Sequence, residues 1–133
     1  MRNPDNVFHL AIPCGDLDEA VEFYVTKLGC KLGRRYPDRI TLNFFGDQVV
    51  CHLAPEKTDS IPEIYPRHFG VTFRERRDFE AVLDLVRLRG IDFFQGPMVR
   101  FEGKPEEHLT FFLKDPSNNV IEFKHYQSPD MMY

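Results

Sequence analysis

The sequence predicts an α+β protein in which two paired βαβββ modules form a curved, barrel-like mixed sheet with helices outside. A strand-then-helix pattern occurs twice, with its histidines, His9 and His68, 59 residues apart and its helix-ending glycines, Gly29 and Gly90, 61 apart. A repeat of about 60 residues that occurs only twice is too long for a solenoid and favours a duplicated module. We therefore expect one domain over 1–133, with module one at about 6–54, a linker at 55–67 and module two at about 68–126.

Module one begins with alternating apolar and less apolar residues at 7–13, which predict a half-buried strand. Asp16 is placed to cap a helix, and Gly29 to end it. Gly46-Asp47 is a signal for a two-residue type II′ hairpin. The three further strands are expected at about 31–36, 40–45 and 48–54.

Module two follows a linker that carries three prolines and suits an irregular connection. Its first strand starts at His68, and its helix is expected from Asp78 to Gly90. Its other strands are expected at about 91–94, 108–114 and 119–126, and turn-forming residues at 115–119 join the last pair. The segment 95–107 is either a lid over a pocket, with Arg100 or Lys104 pairing an anionic group of a substrate, or an exposed surface loop.

Composition excludes several functional classes. The chain has 133 residues, a net charge of −4 and no apolar run near the roughly 18 residues of a membrane span, so neither nucleic acid nor a membrane is an expected partner. Three cysteines without CxxC spacing, and an N-terminus without a secretory signal, predict reduced thiols and a cytoplasmic location.

Strand alternation places four potential metal ligands on the inner faces of the two modules: His9, His52, His68 and Glu122. The local sequence matches Val50-Cys51-His52 with Val120-Ile121-Glu122. A carboxylate inside a cup loses several kcal/mol of hydration unless a cation compensates it, and either a metal or Lys124 can do so. Two imidazoles and one carboxylate suit Fe(II), Mn(II), Zn(II) or Ni(II) and leave coordination positions open for a substrate.

The sequence resembles the vicinal oxygen chelate superfamily of glyoxalase I, extradiol dioxygenases and bleomycin and fosfomycin resistance proteins. The resemblance covers essentially the whole chain and is carried by FHLAIPCGDLDEAVEFYVTKLG, VVCHLAP, RHFGVTF and LTFFLKDPSNNVIEFK. The stretches FFGDQVVCHLAP and PMVRFEGKPEE are most similar to small proteins described as predicted extradiol-type dioxygenases. The resemblance implies paired βαβββ modules, a metal triad at His9, His68 and Glu122, and a homodimer.

The same resemblance leaves the role of His52 open. The glyoxalase pattern has an acidic fourth ligand in this strand, whereas the extradiol pattern has a histidine that acts as an acid or base. His108 is a second candidate acid or base, near the place of an upstream histidine of the extradiol motif. Phe112 stands where extradiol enzymes typically carry a tyrosine, and Asn118 where glycine usually follows, so one phenolic hydroxyl is missing.

These residues predict a metal-dependent enzyme for a small substrate with two adjacent oxygens. The resemblance favours a ring-cleaving dioxygenase that uses Fe(II) and O₂, with Arg100, Phe112 and Lys124 at the substrate. The alternatives are a glyoxalase-like lyase or isomerase, a ligand-sequestering protein of the bleomycin-resistance type, and a catalytically inactive scaffold.

Overall fold

The computed structural model describes residues 3–133, and the chain forms two compact units. Unit 1 comprises the described residues up to Ile61 together with Asp115–Asn119, and unit 2 comprises Pro62–Lys114 and Val120–Tyr133. Each unit holds one four-stranded mixed sheet and few helices. The predicted α+β class and its duplicated module are therefore confirmed.

Unit 1 has the predicted order of elements, and its first strand pairs in parallel with its last. The strand order in the sheet is β1-β4-β3-β2, and all pairs other than β1 and β4 are antiparallel. The elements are β1 (His9–Cys14), α1 (Leu17–Val21), a π-helical segment (Glu22–Lys27), β2 (Lys31–Tyr36), β3 (Arg39–Phe44), β4 (Asp47–Leu53) and a 3₁₀ turn (Pro55–Lys57).

Unit 2 repeats this topology with the order β5-β8-β7-β6 and a parallel pair between β5 and β8. Its elements are β5 (Phe69–Thr72), α2 (Arg76–Leu88), β6 (Gln95–Arg100), β7 (His108–Lys114), β8 (Val120–Tyr126) and a 3₁₀ turn (Pro129–Met132). The two sheets are separate four-stranded sheets, so the expected barrel-like sheet is not closed into a barrel.

The first helix starts as predicted but changes its pitch. The Asp16 carboxylate accepts hydrogen bonds from the backbone N–H groups of Asp18 and Glu19 at 2.7 and 2.9 Å. The backbone N–H of Leu28 then donates to the carbonyl of Phe23, five residues back, at 2.9 Å. The wider π-helical turn buries the adjacent residues Phe23 and Tyr24 together. The regular 3.6-residue spacing predicted Tyr24 but not Phe23 on the buried face.

The hairpin between β3 and β4 differs from the predicted type II′ turn at Gly46-Asp47. Phe44 pairs with Asp47, so the two loop residues are Phe45 and Gly46, both with positive φ, at 52° and 97°. Positive φ at both positions defines a type I′ turn. Asp47 belongs to β4, where its carboxylate accepts a hydrogen bond from the backbone N–H of Phe8 at 2.7 Å.

The second helix begins two residues before the predicted start. It runs from Arg76, with Glu75 as an extended N-cap that makes no side-chain capping bond, and Asp78 lies in its first turn. A carboxylate in the first turn favours a helix by its charge and does not have to occupy the cap. The predicted end is correct, since Gly90 follows the helix with φ of 63°.

The predicted strand at 91–94 and the predicted segment 95–107 are both wrong in their bounds. The apolar residues of 91–94 pack instead of forming a strand: Ile91 is buried, and Phe93 lies edge-on to Phe111 at 5.5 Å between ring centroids. The edge strand β6 occupies Gln95–Arg100, with a register shift between Gln95 and Met98. Gly96-Pro97 lies in this irregularity, which is where an edge strand tolerates proline. The connection to β7 therefore shrinks to 101–107, and Arg100 is a strand residue.

A buried polar pair stabilises unit 1. The Tyr24 hydroxyl, fully buried, donates to Asp115 Oδ2 at 2.8 Å. Burial raises the pKa of the Asp115 carboxyl, whereas hydrogen bonds from Asn119, Tyr24 and Ser117 oppose that rise. Because each of these donors satisfies a carboxylate oxygen, Asp115 holds its own turn and the π-helical segment together.

Two further observations concern the cysteines and the helices. All three cysteines are free and buried. None of the helices in residues 3–133 combines the length and apolar character that crossing a bilayer requires.

Candidate functional site

His68 lies one residue before β5 and is oriented by the chain that precedes it. Its Nδ1–H donates to the carbonyl oxygen of Ile64 at 2.8 Å. Because a carbonyl can only accept, the proton lies on Nδ1 and the lone pair of a neutral ring lies on Nε2. That Nε2 atom is 3.1 Å from Glu122 Oε2. A histidine whose second nitrogen is held by a backbone carbonyl has the arrangement of metal-binding histidines.

Glu122 is a buried carboxylate on β8, with a side chain only 7% exposed. The hydroxyl of Thr110 donates to its Oε1 at 2.8 Å, while Lys124 Nζ lies 3.5 Å from Oε2. The ion pair with Lys124 shows that one of the two predicted compensating cations is present. Oε2 also lies 3.1 Å from His68 Nε2, a contact that is an ion pair when the imidazole is protonated and that places a nitrogen and an oxygen side by side where a cation could bind both.

Gly70 permits this approach of β5 to β8. It pairs with Glu122, and a Cβ added to it would lie 1.7 Å from the carbonyl oxygen of Glu122. Real Cβ atoms essentially never come within 3.0 Å of such an atom. Only glycine therefore fits here, and it brings the preceding histidine next to the carboxylate.

His9, in unit 1, has the same kind of anchoring as His68 has in unit 2. It is the first residue of β1 and is exposed. Its Nδ1 lies 2.6 Å from Oε1 of Gln48, the residue opposite it on β4, and with the proton on Nδ1 its Nε2 is left unprotonated. Gln48 also lines an open groove of unit 1 beside Arg34 and Asn43, so solvent reaches this part of the sheet.

The strand register changes the predicted equivalence of His52 and Glu122. If His9 and His68 are equivalent, the position two residues further pairs with Val50 in unit 1 and with Glu122 in unit 2. Val50 is thus the counterpart of Glu122, and the local sequence match is wrong by two residues. His52 lies four residues beyond Gln48 on β4, or about 13 Å along the strand. At that distance His52 does not share a metal ion with His9 inside unit 1, which disfavours the fourth-ligand role.

His108 is buried at the opposite end of β7 from the donor pair. Phe112 is opposite Glu122 in the register, and His108 precedes Phe112 by four residues, or about 13 Å. The Nδ1–H of His108 donates to the carbonyl of Glu106 at 2.9 Å. Along the strand His108 is thus no nearer to Glu122 than His52 is to His9, and its role as an acid or base stays a prediction.

The three predicted substrate-binding residues all lie in unit 2. Phe112 is fully buried, with its ring edge-on to His68 at 5.8 Å between centroids. Lys124 is half-buried beside Glu122, and Arg100 donates from Nη1 to the hydroxyl of Tyr65 at 3.0 Å. Sequence reasoning missed Tyr65, because it lies in an irregular linker without periodicity.

Two other contacts were also missed. Thr110 and Gln48 each hold one predicted ligand by a hydrogen bond. Strand alternation gives a signal for both, since each lies on the same face of its sheet as the ligand it contacts. Small polar residues on such a face are easily taken for neutral positions.

The donor chemistry fits a divalent metal, whereas a complete ligand set is not found inside one unit. Taken separately, neither unit has, in its described part, a group of three or more His, Cys, Asp or Glu side chains that can hold an ion. His68 and Glu122 supply one imidazole nitrogen and one carboxylate oxygen, and each is fixed by a second hydrogen bond. Nitrogen and oxygen donors of this kind suit the first-row divalent metals.

Comparison with known proteins identifies the class. Residues 6–123 match the Glyoxalase/Bleomycin resistance protein/Dioxygenase superfamily, and the chain belongs to it. Members of this superfamily commonly bind a divalent metal and small-molecule substrates, often form dimers, and include many enzymes.

Several individual proteins are similar to the chain. A glyoxalase/bleomycin resistance protein/dioxygenase from Alicyclobacillus acidocaldarius is 62% identical, with a TM-score of 0.96 and full coverage of both chains. The lactoylglutathione lyase from Agrobacterium tumefaciens is 13% identical, with a TM-score of 0.68 over 99% of this chain and 100% of its own, so it shows the fold alone. The glyoxalase domain-containing protein RDO1 of Mycosarcoma maydis is 27% identical over 122 residues, which are 90% of this chain and 67% of that protein.

Proposed function

We propose that the chain is a metal-dependent enzyme for a small substrate with two adjacent oxygens, a ring-cleaving dioxygenase of the extradiol type that uses Fe(II) and O₂. The observation that carries the proposal is the 3.1 Å approach of His68 Nε2 to Glu122 Oε2, with each side chain held by a second partner. A protein that only sequesters a ligand has no need for two donors oriented in this way. His9 is the proposed third ligand.

A divalent ion held by these residues would stabilise negative charge on the two substrate oxygens and, as Fe(II), would supply reactivity towards O₂. Thr110 fixes the carboxylate of Glu122, and the Ile64 carbonyl fixes the ring of His68. Phe112 covers the pair with an apolar ring, which keeps water away from it. Lys124 adds a positive charge beside the place where the substrate oxygens would lie.

Proton transfer is assigned to His52, which is exposed on β4. We expect His52→Gln to lower turnover while leaving the metal content unchanged. Loss of the metal in this variant would instead make His52 a ligand.

The test is metal content. The wild-type protein, purified without chelators and reconstituted with Fe(II) under anaerobic conditions, is expected to hold one ion per chain. His9→Ala, His68→Ala and Glu122→Gln are expected to hold far less. His125→Ala is the matched control, because His125 lies on the same strand as Glu122 and donates to a backbone carbonyl, that of Phe73, at 3.1 Å. Equal metal content in all the variants would refute the proposed ligands.

Activity then separates the reactions. A dioxygenase consumes O₂ and opens the ring of a catechol, whereas a glyoxalase-like isomerase does neither. Phe112 favours the isomerase as the second candidate, because position 112, opposite Glu122, lacks the phenolic hydroxyl that would orient a catechol or oxygen. Ring opening of catechols by the Fe(II) protein would decide for the dioxygenase. Metal binding without O₂ consumption would decide against it.

A further inference from the structure

Arg100 carries a positive charge that no acidic side chain neutralises. It ends β6, is half-buried, and donates to the neutral hydroxyl of Tyr65 at 3.0 Å. Its guanidinium carbon lies 5.3 Å from the ring centroid of Phe101. In the described part of the chain no carboxylate forms an ion pair with it, in contrast to Arg35 and Arg76, which each contact an acidic residue. A half-buried guanidinium with only neutral partners is prepared for an external anion, and its planar donors match a carboxylate.

Aromatic side chains continue from this guanidinium across the sheet of unit 2. The ring of Phe101 contacts that of His108 at 5.7 Å between centroids, and His108 contacts Tyr126 at 4.8 Å. The ammonium of Lys124 lies 5.6 Å from the Tyr126 ring. We call these residues the aromatic cluster: Tyr65, Phe101, His108 and Tyr126.

The cluster links Arg100 to the proposed metal ligands by two routes. Tyr65 contacts Arg100 through its hydroxyl and His68 through its ring, with 6.1 Å between the ring centroids. On the other side, Lys124 contacts both Tyr126 and Glu122. The guanidinium is therefore separated from the ring of His68 by the length of one tyrosine.

The strand register gives the scale of this surface. Arg100, His108 and Tyr126 pair across β6, β7 and β8 in one row, whereas Phe112 and Glu122 pair four residues further along. Four strand residues span about 13 Å. This span suits a single aromatic ring that has its two oxygens at the ligand end and an acidic group at the arginine end.

We propose that the substrate is a small aromatic acid whose carboxylate binds Arg100 and whose ring lies against the aromatic cluster. The inference rests on the proposed function for the orientation of the two oxygens, but the carboxylate contact needs only unit 2. Tyr65 is the member of the aromatic cluster that also positions the guanidinium, through its hydroxyl. The linker thus contributes to substrate selection.

The experiment compares 3,4-dihydroxybenzoate with catechol, which lacks the carboxylate, on the Fe(II) protein. Arg100→Gln is expected to lower kcat/KM for the acid about hundredfold, as the loss of a charge-assisted contact does, and for catechol less than about threefold. Arg100→Lys retains part of the preference. Tyr65→Phe lowers kcat/KM for the acid about tenfold, mainly through KM, with unchanged metal content. Arg74→Gln is the matched control, because Arg74 also donates to a tyrosine hydroxyl, that of Tyr133, at 3.2 Å.

A binding measurement keeps this inference separate from the proposed function. Calorimetric titration of the metal-free protein with 4-hydroxybenzoate and with phenol is expected to show at least tenfold tighter binding of the acid in the wild type, and no difference in Arg100→Gln. If the protein binds the acid more tightly than phenol but takes up no metal, the proposed dioxygenase function is refuted and the inference about Arg100 is retained. Equal binding of acid and phenol, or the same loss in Arg74→Gln, would overturn the inference even if the metal binds.

Discussion

Replacement of Gly70 by alanine tests how His68 reaches Glu122. The new Cβ would lie 1.7 Å from the Glu122 carbonyl oxygen, so β5 must retreat by about 1.3 Å to reach the 3.0 Å limit for real Cβ atoms. The obstacle is backbone, which cannot turn away as a flexible side chain does. If about three of the backbone hydrogen bonds made by the four paired residues of β5 are weakened, at about 1 kcal/mol each, the loss is about 3 kcal/mol. For a chain of this length that corresponds to a decrease of about 10 °C in Tm.

The same displacement affects the metal. Ligand distances in metal sites are set to within about 0.2 Å, and His68 moves with the strand that follows it. We expect the Gly70→Ala protein to bind Fe(II) at least tenfold more weakly, measured by competition with a chromogenic chelator, and to unfold at lower temperature by circular dichroism.

Gly15→Ala is the control for this prediction. A Cβ at position 15 would meet only Ser117 Oγ at 3.9 Å, an ordinary contact. Its Tm is expected to stay within about 2 °C of the wild type. If Gly70→Ala behaves in the same way as Gly15→Ala in both assays, the argument from close strand approach is wrong.

Three more predictions concern buried groups. Thr110→Val leaves Oε1 of Glu122 without its donor and is expected to cost about 1–3 kcal/mol of unfolding free energy in urea titrations; an unchanged midpoint contradicts the assigned hydrogen bond. Tyr24→Phe removes the hydroxyl that donates to Asp115, and a loss of about 1.5–3 kcal/mol is expected from the same measurement, whereas a neutral result would mean that the turn needs no donor there. Burial raises the pKa of the Cys30 thiol to about 12, so a thiol reagent at pH 8 should label it only after unfolding, and rapid labelling of the native protein would contradict its burial. This raised pKa favours the protonated thiol in the folded state. The free energy of unfolding is therefore unaffected by this thiol below about pH 9 and decreases between pH 9 and about 12, by about 1.4 kcal/mol per pH unit for each such thiol. Urea midpoints measured across this pH range would show the decrease.

Strand alternation predicted the module order, since a two-residue period needs only local sequence. It failed at β6, where Gly96-Pro97 interrupts the pattern and residues 91–94 precede the strand, with only the backbone N–H of Phe94 bonded to β7, at the carbonyl of Phe112. Local patterns also cannot give the register between strands far apart in the chain. For that reason the local sequence made His52 the counterpart of Glu122 in the repeat, whereas the strand pairing makes Val50 the counterpart of Glu122.

Contacts that depend on irregular backbone were beyond a pattern-based prediction. Tyr65 and Ile64 belong to a proline-rich segment, and their contacts with Arg100 and His68 depend on the folded path of that segment. The widened helical turn at Glu22–Lys27 likewise follows from packing and has no sequence period of its own.

The turn Asp115–Asn119 belongs to unit 1 although the strands on either side of it belong to unit 2. Within this turn Asp115 accepts a hydrogen bond from the Tyr24 hydroxyl, and the Ser117 hydroxyl accepts one from the backbone N–H of Gly15. The side-chain amide of Asn119 donates a third to the carbonyl of Pro13. A fragment cut at Ile61 would lose all three partners at once. Dividing the chain at its linker would therefore separate unit 1 from a turn that it needs for these three hydrogen bonds, because that turn comes from the later half of the sequence.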